Sequence, residues 1–148
     1  MGLKYFNHEI EQKFMTVGFS INIANIILGD ILNNSEINKE KIQELTEVYK
    51  KFAFGIKELQ ELSKKIKNVD IDSNFYYLEQ YFYLDKLNRI INADKERKLS
   101  DQELTKLKEV KELIQSYANY FGRDEYKKWN YSVTSNDWIS VIKRIVEN

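Results

Sequence analysis

The chain has 148 residues, which fits one domain spanning residues 1–148. Its 23 basic and 23 acidic residues cancel, so no global field attracts nucleic acid or an anionic membrane. The absence of cysteine excludes disulfides, thiolate catalysis, iron–sulfur clusters and zinc ribbons, and the absence of proline fits long helices joined by short connections.

The first predicted helix covers residues 3–33 and carries apolar side chains on two faces. One stripe repeats at spacings of three and four: Leu3, Phe6, Ile10, Phe14, Val17, Ile21, Ala24, Leu28 and Ile31. A second stripe on the far side holds Met15, Phe19, Ile23 and Ile26, and a narrow face between the two holds Gly18, Asn22, Asn25 and Gly29. A helix that is apolar all round does not belong on a domain surface. We therefore expect it to be the largely enclosed centre of the fold or the wall of a ligand cavity.

The second predicted helix covers residues 36–68, with Ser35 or Asn38 as its N-cap. Its inward stripe is Leu45, Val48, Phe52, Ile56, Leu59, Leu62 and Ile66. Gly55 lies inside this helix, where glycine costs about 1 kcal/mol relative to alanine. We expect a neighbouring element that needs the space.

The third predicted helix covers residues 74–97 and opens with six aromatic residues: Phe75, Tyr76, Tyr77, Tyr81, Phe82 and Tyr83. Successive positions point around a helix, so at least one ring should face outwards or into a neighbouring element. Tyr and Trp dominate binding hot spots. We therefore predict an interaction surface formed by Tyr76 with three aromatic residues of the segment 123–133: Tyr126, Trp129 and Tyr131. The alternative is that these rings, with Trp138, are core or close the open end of the bundle.

A capping box at Ser100 and Glu103 marks the start of the fourth helix, which is expected to run to Phe121. Gly122 then fits a left-handed helix stop. Thr134 and Asp137 form a second box, in its T-x-x-D form. It predicts the fifth helix over residues 136–146, which buries Trp138, Ile142 and Ile145.

No window alternates with a period of two, so no sheet is expected. The pattern predicts an all-α fold, a five-helix bundle with a central, largely enclosed first helix. Up-and-down packing is the first choice, and globin-like crossed packing is the alternative.

The uncharged stretch 14–29 is shorter than the roughly 20 residues that span a bilayer, and no signal-peptide layout leads into it. We therefore expect a soluble, cytoplasmic protein with no membrane span. A soluble fragment of an anchored protein would have the same sequence. High Asn, Ile and Lys usage favours an AT-rich bacterial source.

Catalytic and metal chemistry has little to build on in this sequence. The single histidine, His8, lies in no zinc or di-iron motif, and its place near the start of the chain disfavours a haem. No nucleophile elbow or phosphate loop is present. We expect no enzyme activity, no metal, no cofactor and no nucleic-acid partner.

Two hypotheses of function remain. The first is a non-catalytic regulatory or protein-interaction domain that binds a protein partner or itself; a homodimer is plausible because two faces of the first helix need cover. The second is a small-molecule sensor domain that holds an apolar, fatty-acid-like ligand beside the first helix. Its predicted ligand-binding residues are Met15, Phe19, Asn22, Ile23, Asn25 and Ile26.

Overall fold

The computed structural model describes residues 3–36, 38–71, 74–77, 89, 97–122 and 132–147. The fold is all-α, as predicted. The described helices are α1 (Leu3–Asn34), α2 (Lys39–Lys67), α3 (Asp101–Ala118) and α4 (Asp137–Val146), and a 3₁₀ turn, Asn119–Phe121, follows α3. Most of the predicted third helix lies outside the described residues. Among its residues that the structure does describe, 75–77 and 89 are helical.

The core of the bundle lies between α1 and α2, which pack along each other, while α3 and the 3₁₀ turn also contact α1. The predicted inner stripe of α1 is confirmed, because its members from Ile10 to Ile31 are buried. The inward stripe of α2 faces it, with Leu45, Phe52, Ile56 and Leu59 fully buried. Helix α4 contacts α2 and contributes Trp138, whose side chain is fully buried. Trp138 is therefore core.

Aromatic rings join four parts of the chain in this core. The Phe52 ring of α2 stacks on the Tyr117 ring of α3, with centroids 5.4 Å apart. Phe75 meets both rings edge-on, at 6.2 Å from Phe52 and 5.8 Å from Tyr117. Phe14 of α1 lies 6.1 Å from Phe121. The first ring of the predicted aromatic cluster is thus buried core.

The helix ends follow local capping chemistry in two of four predicted cases. Asn38 is the N-cap of α2, and its side-chain oxygen accepts a bond from the Lys41 amide at 3.1 Å. Ser100 and Glu103 form the capping box of α3. The other two predictions are wrong. Gly122 has φ −68°, so α3 ends through the 3₁₀ turn and not through a left-handed glycine.

The predicted box of Thr134 and Asp137 is also wrong. Helix α4 has Asn136 as its N-cap residue, without a side-chain capping bond. The Asp137 amide instead donates to the hydroxyl of Ser135 at 3.1 Å. The nearer hydroxyl satisfies this amide, so the start of the helix does not depend on Thr134.

The prediction that α1 is largely enclosed is wrong for its second apolar stripe. Met15 is 58% exposed, Phe19 67% and Ile26 64%, while Ile23 is half-buried. The inner stripe and the narrow polar face of α1 are turned towards the helices that the structure describes, whereas most of the second stripe is not. An apolar pattern shows which side chains gain from burial, but not whether an element of the same chain covers them.

Candidate interaction surface

The second apolar stripe of α1 forms a continuous line on the surface, here named the outer stripe: Met15, Phe19, Ile23 and Ile26. Their spacings of three and four residues place them on one face of the helix, over about 16 Å at a rise of ~1.5 Å per residue. No charged residue occurs from Phe14 to Gly29. Exposed Asp30 follows this stretch, and exposed Glu11 precedes it. The result is an apolar strip with Asp30 at its C-terminal end and with Glu11 and the paired Lys13 at its N-terminal end.

A groove extends this surface towards the N-terminus of α1, between α1 and α2. It has a volume of about 450 Å³. Its walls combine exposed aromatic rings with polar and charged groups: Tyr5, His8, Glu9, Gln12, Lys13, Thr16, Lys51, Phe54, Gly55 and Glu58. Gln12 and Thr16 lie on the same face of α1 as Phe19, so the groove and the outer stripe are parts of one surface.

Close packing of two helices forms the floor of the groove. A Cβ atom added at Gly55 would lie 2.4 Å from Cγ2 of Val17, nearer than atoms can approach. The prediction that a neighbour needs the space at Gly55 is confirmed. The absence of a side chain lets α1 and α2 approach, and the longer side chains on either side form the walls.

Ion pairs neutralise one wall of the groove. The Lys13 ammonium bonds to the Glu58 carboxylate of α2 and lies 4.0 Å from a carboxylate oxygen of Glu9. Lys51 is exposed and forms no ion pair or hydrogen bond within the described part of the chain. The groove therefore presents a cation, Lys51, that no ion pair among the described residues neutralises.

The narrow polar face of α1 attaches α3 to the bundle. Asn22 donates its amide N–H to the Phe121 carbonyl at 3.2 Å, and Asn25 donates to the Gln115 side chain at 2.9 Å. The ammonium of Lys111 donates to the Asn25 carbonyl at 3.1 Å and also to its side-chain oxygen. Burial lowers the pKa of Lys111. These amides are thus engaged in interhelical contacts.

The six predicted ligand-binding residues do not lie together on one interior wall in the described part of the chain. Met15, Phe19 and Ile26 are exposed on the outer stripe, Ile23 lies between them, and the two asparagines face α3. The expectation of an interior wall is wrong for Met15, Phe19 and Ile26, because these side chains lie on the exposed face of α1. Ligand binding by these residues stays a prediction.

The predicted aromatic interaction surface is represented by Tyr76, because Tyr126, Trp129 and Tyr131 lie outside the described residues. The Tyr76 ring is half-buried and meets the Phe54 ring edge-on, with centroids 6.0 Å apart. The Lys57 ammonium lies 5.1 Å from its ring centroid. Tyr77 beside it is exposed, and both rings line a second, shallower depression of about 290 Å³.

The sequence analysis did not assign Lys51, Phe54 or Asp30 to a candidate functional surface. Each is an isolated residue that belongs to none of the repeating stripes in the sequence. Lys51 and Phe54 become part of the groove through the register between α1 and α2, set where Val17 meets Gly55. The glycine was the one signal that pointed to this place.

Two further properties of the described residues bear on function. By length and composition alone, α1 could cross a membrane, with mean hydropathy 1.6 over its most apolar window and 44% of that window buried. A core helix passes the same test. Among the described residues, no group of three or more His, Asp or Glu side chains could hold a metal ion. The absence of a metal centre stays a prediction.

No protein-family model, curated protein or solved structure matches the chain.

Proposed function

We propose that this protein is a non-catalytic regulatory or protein-interaction domain that binds a protein through the outer stripe of α1. The observation that supports the proposal is the exposure of Met15, Phe19 and Ile26, each more than half accessible, on one uncharged helix face. Large contiguous apolar surfaces are uncommon on monomeric soluble proteins and mark sites of association. Aromatic and methionine side chains are also enriched in protein interfaces.

The shape of the surface favours a protein over a small molecule. Small ligands bind in concave sites that enclose most of their surface, whereas the outer stripe is the convex side of a helix. A second helix packs on such a face by inserting its side chains between those of α1. The stripe at spacings of three and four residues is the pattern that helix-to-helix docking uses.

The charges favour a protein over a membrane surface. Helices that lie on membranes carry Lys and Arg on their polar face, which anionic lipids attract. Residues 14–29 contain no basic side chain, and the nearest charged residues along α1 on the same side are acidic, Glu11 and Asp30. Anionic lipid would therefore find no cation along the stripe itself and would be repelled by Asp30 at its C-terminal end.

Photo-crosslinking in cells of the source organism tests the proposal. A benzophenone amino acid replaces Met15, and the same amino acid at Glu109, exposed on α3, serves as the matched control. We expect discrete protein adducts from position 15 and none from position 109. The additional changes Phe19→Asp and Ile26→Asp should reduce the adduct at least about tenfold, because hot-spot side chains carry most of the binding energy.

Two outcomes would contradict the proposed function. One is the absence of an adduct from position 15 when the chain is folded and expressed at its normal level. The other is an adduct that the two aspartate substitutions leave unchanged, because contact through the outer stripe cannot survive two buried charges.

A further inference from the structure

We infer that the occupant of the outer stripe is a second copy of this chain, docked antiparallel about Ile23. This inference rests on the proposed function and names its partner. Two-fold symmetry is the commonest arrangement of soluble homo-oligomers, and it requires a surface that is complementary to itself. The outer stripe and the groove beside it meet this requirement in both apolar pattern and charge.

The apolar part of the stripe is self-complementary when two copies of α1 run in opposite directions. Phe19 lies four residues before Ile23, and Ile26 lies three residues after it. Rotation about Ile23 therefore sets Phe19 within one residue, ~1.5 Å along the helix axis, of the partner's Ile26, and the same contact occurs twice. The most exposed aromatic ring of α1 is then covered by an exposed aliphatic side chain. Ile23 packs against the partner's Ile23 at the centre.

The charges are complementary in the same register. Thr16 lies seven residues before Ile23 and Asp30 lies seven residues after it, two helical turns in each direction. The antiparallel pair thus brings Asp30 over the partner's Thr16. In each copy Thr16 and Lys51 line the same groove. Asp30 therefore lies over the groove that the partner's Lys51 lines, where Glu9 and Glu58 are already paired with Lys13.

Both members of this proposed pair are available for it. Asp30 and Lys51 are exposed, and neither forms an ion pair or hydrogen bond within the ranges that the structure describes. By symmetry the antiparallel dimer has two such pairs. A parallel arrangement would instead place Asp30 beside the partner's Asp30, and like charges at an interface oppose association. The charges therefore select the antiparallel direction.

Sedimentation equilibrium of the full chain at low salt tests the inference. We expect a species of twice the 17.7 kDa chain mass. Asp30→Lys and Lys51→Glu should each raise the dimer Kd at least about tenfold, since each places two like-charge pairs at the interface. The double variant Asp30→Lys/Lys51→Glu restores opposite charges and should return the Kd to within about threefold of the starting value.

Matched controls separate this effect from a general change in charge. Glu112→Lys and Lys106→Glu alter exposed residues of α3 by the same amounts and should leave the Kd unchanged. Circular dichroism confirms that every variant is folded. Phe19→Asp/Ile26→Asp should give a folded monomer.

Each contrary result has a definite meaning. A chain that stays monomeric up to about 1 mM overturns the inference. If position 15 then crosslinks to a different protein in cells, the proposed function stands without it. A dimer that the single charge reversals do not weaken, or that the double variant does not restore, overturns the antiparallel arrangement. A dimer that survives Phe19→Asp/Ile26→Asp overturns the use of the outer stripe.

Discussion

Two glycines inside helices of this protein have opposite surroundings. At Gly55 an added Cβ would lie 2.4 Å from Cγ2 of Val17. At Gly29 the nearest atoms, both of the Lys111 side chain, would be 3.9 Å away, an ordinary contact. Glycine is therefore required for packing at one position, whereas at the other it only lowers helix propensity.

Gly55→Ala is expected to destabilise the protein by about 1–2 kcal/mol. Overpacking a core typically costs about 1–3 kcal/mol, and better helix propensity returns up to about 1 kcal/mol. Val17 cannot rotate away easily, because a β-branched side chain in a helix has one strongly preferred rotamer. Urea unfolding, followed by circular dichroism, measures the free energy of unfolding.

The controls for this prediction are a second glycine and a compensating change. Gly29→Ala should stabilise the protein by up to about 1 kcal/mol. Gly55→Ala should lower the free energy of unfolding by less in a Val17→Ala background, because the clash with Val17 is then relieved. A Gly55→Ala variant as stable as the parent would contradict the close contact between α1 and α2 at Val17.

At the scale of an element, the first turn of α3 is held by three side chains. Ser100 accepts from the Glu103 amide at 3.2 Å, and the Glu103 carboxylate accepts from the Ser100 amide at 3.0 Å. The Arg97 guanidinium donates two bonds to the same carboxylate, at 2.6 and 2.9 Å. These contacts, above all the Arg97 bonds, lower the pKa of Glu103 from 4.5 to about 2.

The pH dependence of stability follows from this lowered pKa. A carboxyl group with a depressed pKa in the folded state stabilises the fold above its unfolded value of 4.5, and this contribution is lost as the pH falls towards 2. Glu103→Gln keeps a capping acceptor but removes the charge. We expect it to cost roughly 1 kcal/mol at pH 7, after allowing for solvent screening, and close to nothing at pH 2.

Denaturant unfolding at pH 7, 4 and 2 measures this difference. Glu109→Gln is the matched control, since Glu109 is exposed on α3 and forms no ion pair in the described structure. The free energy of unfolding of Glu109→Gln should stay close to that of the parent at every pH. A Glu103→Gln deficit that is equal at pH 7 and pH 2 would show that the carboxylate charge does not stabilise α3.

Element boundaries were predictable where the determinants lie close together in sequence. The Ser100 box and the Asn38 cap each depend on residues three apart; the box is confirmed, and of the two predicted caps of α2, Ser35 and Asn38, the structure has Asn38. The box at Thr134 failed because Ser135 competes for the same amide. Gly122 failed because a 3₁₀ turn had already ended α3. In both cases the residue next to the predicted one determined how the helix begins or ends.

The candidate site was less predictable because it depends on contacts between elements. The apolar residues of the outer stripe were recognised from their spacing, but the exposure of Phe19 depends on where the other helices lie. The groove depends on the register of α1 against α2, so Lys51 carried no signal of its own. Periodicity reports the faces of one helix and cannot report which face a neighbour covers.

At the scale of the whole molecule, α1 divides its aromatic residues between core and surface. Phe14 is fully buried and packs against Phe121, whereas Phe19, five residues on, is 67% exposed. Five residues correspond to a rotation of about 500° at 3.6 residues per turn, which places the two rings about 140° apart around the helix axis. The stability of the folded single chain therefore depends on the Phe14 ring and not on the Phe19 ring.

Phe14→Ala is expected to cost about 3–5 kcal/mol of unfolding free energy, whereas Phe19→Ala should change it by no more than about 0.5 kcal/mol. The unfolding free energy is measured on protein dilute enough to be monomeric, because association through Phe19 would add its own stabilisation. As the protein concentration rises, the unfolding midpoint of the parent should increase, while the unfolding midpoint of Phe19→Ala should stay constant. A loss of more than about 2 kcal/mol for Phe19→Ala at the lowest concentration would instead show that its own chain covers that ring.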